Sequence, residues 1–269
     1  MGKVIAIWGS PNSGKSTISI KLAKEISKKN SVVVIFTDTL APVIPTVQES
    51  IDTTKSLGNV LLGDITKDLI LKNCIEAPNI KNLGFLGYKQ GENIFSYPQY
   101  SENRVLELID KLKELVDYII IDASSNIIND LISIVSLEVA DTVFRVNSPE
   151  LKNISYFDSI LPLLTDPKFK VDNQINILSN FRVEDSISEL SDMYKVKENI
   201  PYIDEIREQN LCSELLLNLS SKEEKKLSSK LQNIISLINK TENNNVDMKV
   251  EEFTKVKKRG FFTRFRKGA

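Results

Sequence analysis

Gly9-Ser10-Pro11-Asn12-Ser13-Gly14-Lys15-Ser16-Thr17 fits the pattern G-x-x-x-x-G-K-[ST] at every fixed position. It follows the apolar run Val4-Ile5-Ala6-Ile7-Trp8 and opens a helical spacing of Ile18, Leu22, Ala23 and Ile26. Strand, small-residue loop and helix in that order are the context a phosphate-binding loop requires. Such a loop wraps a polyphosphate with inward-pointing backbone N–H groups, and the positive end of the following helix faces the same anion. The pattern assigns Lys15 to the β- and γ-phosphates and the Ser16 hydroxyl to Mg²⁺, with Thr17 beside the α-phosphate.

With 269 residues, 41% of them hydrophobic, the chain has the makings of one large α/β domain. No apolar run approaches the roughly 20 residues needed to span a bilayer, and a buried-type strand starts beside Met1, so neither a signal peptide nor a transmembrane helix is expected. Cys74 and Cys212 lie far apart without metal-ligand spacing and read as inert reduced thiols of a cytoplasmic protein. Histidine is absent, which excludes a Ser-His-Asp triad, a Cys-His pair and histidine-based zinc sites. The net charge of −1 hides an asymmetry: Lys255, Lys257, Lys258, Arg259, Arg264, Arg266 and Lys267 put seven positive charges at one end, leaving −8 on the rest.

Val32-Val33-Val34-Ile35-Phe36 is a β-branched apolar run of the kind a doubly covered parallel strand needs, and it ends at Thr37-Asp38. Asp38 therefore falls at the carboxyl end of a strand, where open α/β sheets place their ligand sites. Residues 47–76 read as helical, punctuated by Gly58 and Gly63, and 83–88 as a third strand. A helix over 102–115 leads into Tyr118-Ile119-Ile120-Ile121-Asp122, an apolar strand that stops on a carboxylate able to hold Mg²⁺ through water. The alternation continues with a helix over 127–137, a strand over 142–146, a helix over 152–164, a strand over 175–178 and a short strand or turn at 199–202, before a helix that carries Ile206. Ser221 and Glu224 suggest a capping box for an amphipathic helix through Leu227, Leu231, Ile234, Ile235 and Ile238. This order predicts a three-layer α/β fold with a mostly parallel, doubly wound sheet over 1–240, a polar linker over 241–254 and a basic aromatic tail over 255–269.

The order of these signals resembles the ParA/MinD-like branch of the P-loop ATPases, over about residues 3–217. The resemblance rests on the phosphate loop, Asp38, the stretch Ser56-Leu57-Gly58-Asn59-Val60-Leu61, the strand running into Asp122-Ala123-Ser124-Ser125, Ile177-Leu178-Ser179-Asn180 and Ile200-Pro201-Tyr202-Ile203-Asp204. It implies ATP and Mg²⁺ as ligands and ATP hydrolysis, which the departure at Ser10 described below makes slow or partner-activated. Asp38 would position the attacking water or a magnesium-bound water, and Asp122 would contact the metal indirectly. Asn180 would meet the adenine edge, with Pro201 and Tyr202 beside the base, although both positions read equally well as turn residues. Asn180-Phe181-Arg182-Val183 is unlike the guanine-reading N-K-x-D pattern, which favours adenine.

One departure bears on catalysis. ParA and MinD proteins carry a second lysine five positions before the loop lysine, which reaches a partner's nucleotide across a dimer. Here Ser10 stands there, followed by Pro11. A hydroxyl cannot supply the cation that, in trans-acting arginine fingers, is worth roughly 10³ to 10⁵ in rate. Lys3 and Arg145 are candidate local cations. Similar atypical loops occur in TadZ/CpaE-like polar-localisation ATPases of pilus assembly and, with a proline at the place of Pro11, in bacterial tyrosine kinases. The latter usually end in a tyrosine cluster, whereas the last tyrosine here is Tyr202.

In the tail, Phe253, Phe261, Phe262 and Phe265 interleave with the basic residues, a composition suited to an anionic membrane surface or a partner protein. The arrangement resembles the C-terminal targeting segment of MinD. The expected assembly is a nucleotide-dependent homodimer, peripheral at the inner face of the membrane, that positions a secretion, pilus or division machine. A DNA-partition ATPase binding DNA without sequence preference, a tyrosine kinase and a non-hydrolysing scaffold are the alternatives, the first disfavoured by the acidic body of the chain.

Overall fold

The computed structural model describes residues 1–47 and 54–241. Among the described residues eight strands form one sheet: β1 (Lys3–Gly9), β2 (Val32–Phe36), β3 (Ile75–Glu76), β4 (Leu83–Gly87), β5 (Tyr118–Asp122), β6 (Thr142–Asn147), β7 (Ile175–Phe181) and β8 (Glu198–Pro201). Their order is β3-β4-β2-β5-β1-β6-β7-β8, and every neighbouring pair is parallel except β3 with β4. The sheet is thus mostly parallel and doubly wound, as the alternating pattern predicts, with β5 returning to lie between β1 and β2.

Helices α1 (Lys15–Ser27), α2 (Ile44–Val47), α3 (Leu57–Leu62), α4 (Lys67–Asn73), α5 (Glu102–Lys113), α6 (Leu131–Val139), α7 (Leu151–Ile160), α8 (Ile187–Tyr194) and α9 (Asp204–Leu211) are followed by α10 over 221–241. Because strand side chains alternate between faces, each apolar run feeds two cores. Ile5, Ile7, Val34, Phe36, Ile120 and Phe144 pack with Ile18, Leu22 and Ile26 of α1 and with Leu227, Leu231, Ile234 and Ile238 of α10. Val4, Ala6, Trp8, Val33, Ile35, Ile119 and Ile121 pack on the opposite face with α3, α5, α6 and Phe157 of α7. The three layers are therefore held by two separate apolar interfaces sharing one sheet.

Several local expectations need correction. The span 47–76 is not one helical stretch: Thr66 accepts the Leu69 N–H to start α4, and Ile75–Glu76 turns extended to pair antiparallel with β4. Gly84 makes that pairing possible, since a Cβ there would lie 2.6 Å from Cys74 Sγ. The strand expected third is consequently the fourth, and residues 48–53 lie outside the described residues. The helix expected over 127–137 splits into a 3₁₀ turn, Ile127–Asn129, and α6, because Asp130 caps the N–H groups of Ile132 and Ser133. The helix over 152–164 gives way at Ile160 to a 3₁₀ turn containing Pro162, which has no N–H to continue it.

The capping box at Ser221 is also displaced. Helix α10 starts one residue after Ser220, whose hydroxyl donates to Glu205 Oε1 at 2.5 Å, while the Glu224 carboxylate accepts from Leu219 N at 2.8 Å. Thr241 is still helical, and the linker and tail beyond it lie outside the described residues. Among the described residues no helix is long and apolar enough to cross a membrane.

Ile234 of α10 is fully buried against the sheet. Ile234→Ala is expected to cost about 2 to 5 kcal/mol in urea unfolding, whereas Lys225→Ala on the exposed side of the same helix should stay within about 0.5 kcal/mol. Equal effects from the two would mean that α10 does not seal that core.

Candidate nucleotide site

Three neighbouring strands deliver the site. In the order β2-β5-β1, both Phe36 and Ile7 lie level with Asp122, so the loop after β2, the end of β5 and the loop after β1 open side by side. The continuous apolar runs that fix this register thereby bring Asp38, Asp122 and the phosphate loop to one edge. Gly9 lets the loop leave β1 tightly, since a Cβ there would sit 2.2 Å from Val146 O. Gly14 has φ +87°, a conformation other residues rarely adopt, and Asn12 is also left-handed at φ 60°. The loop is tied to itself, with the Ser13 hydroxyl donating to Ser10 O at 2.8 Å.

Lys15 is buried, and its Nζ donates to Ser10 O at 3.0 Å and to Ser125 Oγ at 2.6 Å. Burial lowers its pKa, while the charges of Asp122 and Asp38 oppose that shift. Two of the three ammonium donors are thus held by protein oxygens. Ser125 is fixed in turn, its carbonyl accepting from Tyr156 OH at 2.8 Å.

Asp122 is buried at the end of β5, with Ser16 Oγ donating to Oδ2 at 2.6 Å and Ser19 Oγ to Oδ1 at 3.0 Å. Burial pushes its pKa up from 3.8 to about 6, against the opposing pull of those hydroxyls and of Lys15. A serine hydroxyl has one proton and two lone pairs, so donating to Asp122 leaves the Ser16 oxygen able to ligate a cation. Asp38 is half-buried, and its Oδ1 accepts from Leu40 N at 2.8 Å and Ala41 N at 3.1 Å. Ser16, Asp38 and Asp122 offer only oxygen donors, the set a hard cation such as Mg²⁺ takes. Among the described residues no three His, Cys, Asp or Glu side chains gather into a self-sufficient metal centre. Mg²⁺ at this place would therefore share its ligation with phosphate oxygens and water, its usual mode.

Lys15, Ser16, Asp38 and Ser125 border one open cleft of about 1060 Å³, which also takes in Pro11, Asn12, Thr17, Asn180, Pro201 and Tyr202, while Asp122 lies buried behind Ser16. Asn180, at the left-handed φ of 57°, donates through Nδ2 to Asn12 O at 3.2 Å, so its side chain braces the loop. The Arg182 guanidinium lies 4.4 Å from the Tyr202 ring centroid, stiffening the rim beside Pro201. Lys21 enters the cleft unannounced by any motif; it donates to Gln209 Oε1 at 2.6 Å and Leu217 O at 3.1 Å, and burial lowers its pKa to about 8.

Neither local cation suggested by the sequence reaches the site. Lys3 opens β1 at the opposite edge of the sheet, 5.0 Å from the Tyr118 ring centroid. Arg145 lies over Trp8 and donates to Gln174 Oε1 and Val171 O in the interior. Ser10 is itself buried, its hydroxyl donating to Asn153 Oδ1 at 2.7 Å.

Burial makes Asp122 a measurable cost in the ligand-free chain. The folded protein holds this proton more tightly than the unfolded chain, so stability falls as pH rises from about 4 to about 6 and the loss is complete above that range. Asp122→Asn removes this component. Urea unfolding across the range should show wild type losing up to about 3 kcal/mol relative to the variant, and parallel pH profiles would refute the buried-carboxylate reading.

Comparison with known proteins places this geometry. A family model described as Zeta toxin matches residues 2–61, the stretch around the phosphate loop. No curated protein matches the chain in sequence. Among solved structures, cell division ATPase MinD from Pyrococcus furiosus is 19% identical with TM-score 0.69, covering 88% of this chain and 100% of its own. The septum site-determining protein MinD from Pyrococcus horikoshii OT3, complexed with Mg-ADP, is 18% identical with TM-score 0.70, covering 90% and 99%. A putative plasmid partition protein from Borrelia burgdorferi B31, bound to AMPPNP, is 22% identical with TM-score 0.66, covering 89% and 99%. The chain has the fold of the MinD- and ParA-type P-loop ATPases.

Proposed function

We propose that the chain is an ATP-binding, slowly hydrolysing P-loop ATPase of the ParA/MinD type, acting as a nucleotide-dependent dimerising switch for a membrane-associated machine. The observation that carries this reading is the convergence of Lys15, Ser16 and Asp38 on one cleft at the ends of three adjacent strands, with Asp122 hydrogen-bonded behind Ser16. Neighbours of the same fold complexed with Mg-ADP or bound to AMPPNP support the choice of ligand.

In this reading the loop N–H groups and Lys15 hold the phosphates, and Lys15 exchanges Ser125 Oγ for a phosphate oxygen. Ser16 would hold Mg²⁺, whose charge would offset that of the phosphates, while Asp122 orients Ser16 and Asp38 would orient the attacking water. Asn180, Pro201 and Tyr202 border the base. Slow turnover follows from Ser10, which turns inward and supplies no charge. Residues 255–269 dock on an anionic membrane or a partner protein, where two tails on a dimer bind better than one through raised effective concentration.

Calorimetric titration of Mg·ATP tests the first part. Lys15→Ala removes charge-assisted hydrogen bonds worth about 1.5 to 3 kcal/mol each, so affinity should fall by about 10-fold or more, and wild type without affinity for adenine nucleotides in magnesium buffer would end the reading. Co-sedimentation with anionic liposomes tests the second. Binding should be stronger with ATP than with ADP and vanish when residues 249–269 are deleted; indifference to both changes would sink the membrane role.

A further inference from the structure

The phosphate loop is anchored from outside by a chain of side chains that no sequence motif announces. Ser10 Oγ donates to Asn153 Oδ1 at 2.7 Å, and Asn153 Nδ2 donates to Tyr194 OH at 3.0 Å. Asn153 belongs to α7 and Tyr194 ends α8, so α7 holds the loop residue directly and α8 holds it through Asn153. Ser10, Ser13 and Asn153 are each no more than 1% exposed. In such surroundings a hydroxyl or amide stripped of its partner costs about 1 to 3 kcal/mol, so the pairing holds Ser10 in one rotamer.

What makes the anchor functional is the other end of Ser10. Its carbonyl accepts both Lys15 Nζ and Ser13 Oγ, at 3.0 and 2.8 Å. The carbonyl thus closes the turn and aims the ammonium, and its own direction is set by how Ser10 is held. Resting on the nucleotide-binding reading above, we propose that Asn153 is a positioning residue of the phosphate loop: itself held by Tyr194, it fixes Ser10 and so sets the carbonyl that orients Lys15 toward phosphate. Position 10 is then an inward structural tether, and its side chain is committed to its own subunit.

A double-mutant cycle on the full chain tests this, read as affinity for Mg²⁺ with a non-hydrolysable ATP analogue and as ATP turnover, with thermal melting as the control for folding. Asn153→Leu keeps the shape of the side chain and removes both hydrogen bonds; Ser10→Ala removes the donor alone. Each should weaken analogue binding about 3- to 10-fold, the range one neutral hydrogen bond spans. The combined variant should bind no worse than Asn153→Leu, because the two act through one contact. Tyr194→Phe opens no cavity and should shift affinity in the same direction by a smaller factor with little change in melting temperature. Should Asn153→Leu fail to fold, Ser10→Ala and Tyr194→Phe form the cycle in its place.

Affinities that multiply, or that stay at the wild-type value while only the melting temperature drops, would overturn the proposal and leave Asn153 a packing residue. Wild type that binds the analogue, with Lys15→Ala that does not, keeps the nucleotide reading intact in that event. Absence of binding by wild type would remove both.

Discussion

A carboxylate as deeply buried as Asp122 constrains everything around it. Taking a charge out of water costs several kcal/mol unless it is paired and hydrogen-bonded, so the fold must bring partners to it or let it take a proton. It does both in part: Ser16 and Ser19 donate to its two oxygens, Lys15 lies near enough to favour the charge, and burial still raises the pKa to about 6. The partners all come from α1 or the loop before it, and they reach Asp122 only because β1 and β5 are neighbours in register. The acidic strand end and the phosphate loop therefore form one electrostatic unit. A divalent cation would supply the positive charge that this unit lacks.

A second network ties the remaining loop to the same unit. Thr37, the residue before Asp38, lies 2.7 Å from Ser133 Oγ, and both hydroxyls accept from Ser124 N at 2.9 Å. Ser133 donates in turn to Asp130, the cap of α6, whose pKa burial raises. The start of the β2 loop and the start of the β5 loop thus share hydrogen bonds next to Ser125, the residue that holds Lys15. Moving one of these segments breaks bonds of the other, which couples Asp38 to the lysine without direct contact between them.

The parts of this arrangement that were legible in the sequence are those with a period or a fixed spacing. The loop pattern, the six longer apolar strands and the carboxylates at or just past the ends of two of them specify the sheet and the cleft, because a buried parallel strand has to be largely apolar and stops where polarity returns. The edge strand β3 was not legible: two residues have no period, and its existence depends on the space left by Gly84 for Cys74. The residue preceding α10 was misassigned by one because Ser220 and Ser221, each with a glutamate three residues later, are equivalent in a capping pattern, and Glu205, 15 residues from Ser220, engages Ser220. Lys3 and Arg145 looked available because charge is visible in sequence while direction along a strand is not; one falls at the far edge of the sheet and the other turns into the core over Trp8. Asn153 and Tyr156 carry no pattern at all, and they matter only through what they touch.

Those two residues give α7 an unusual place between the loops. Three positions apart, they lie on one side of the helix, as residues at i and i+3 do. One holds Ser10 of the phosphate loop and the other holds the carbonyl of Ser125. Lys15 is bonded to both of the residues so held, at Ser10 O and Ser125 Oγ. A helix is stiff along its axis, so its two contacts cannot separate independently. A phosphate that displaced Ser125 from Lys15 would act on the Tyr156 contact, and any shift of α7 in response would be felt at Ser10. The same helix begins with Leu151, which is 82% exposed and comes after the three residues that follow β6. The two protein partners of Lys15 are thereby joined, through one buried and one partly buried hydrogen bond and one rigid element, to an apolar position on the outer surface.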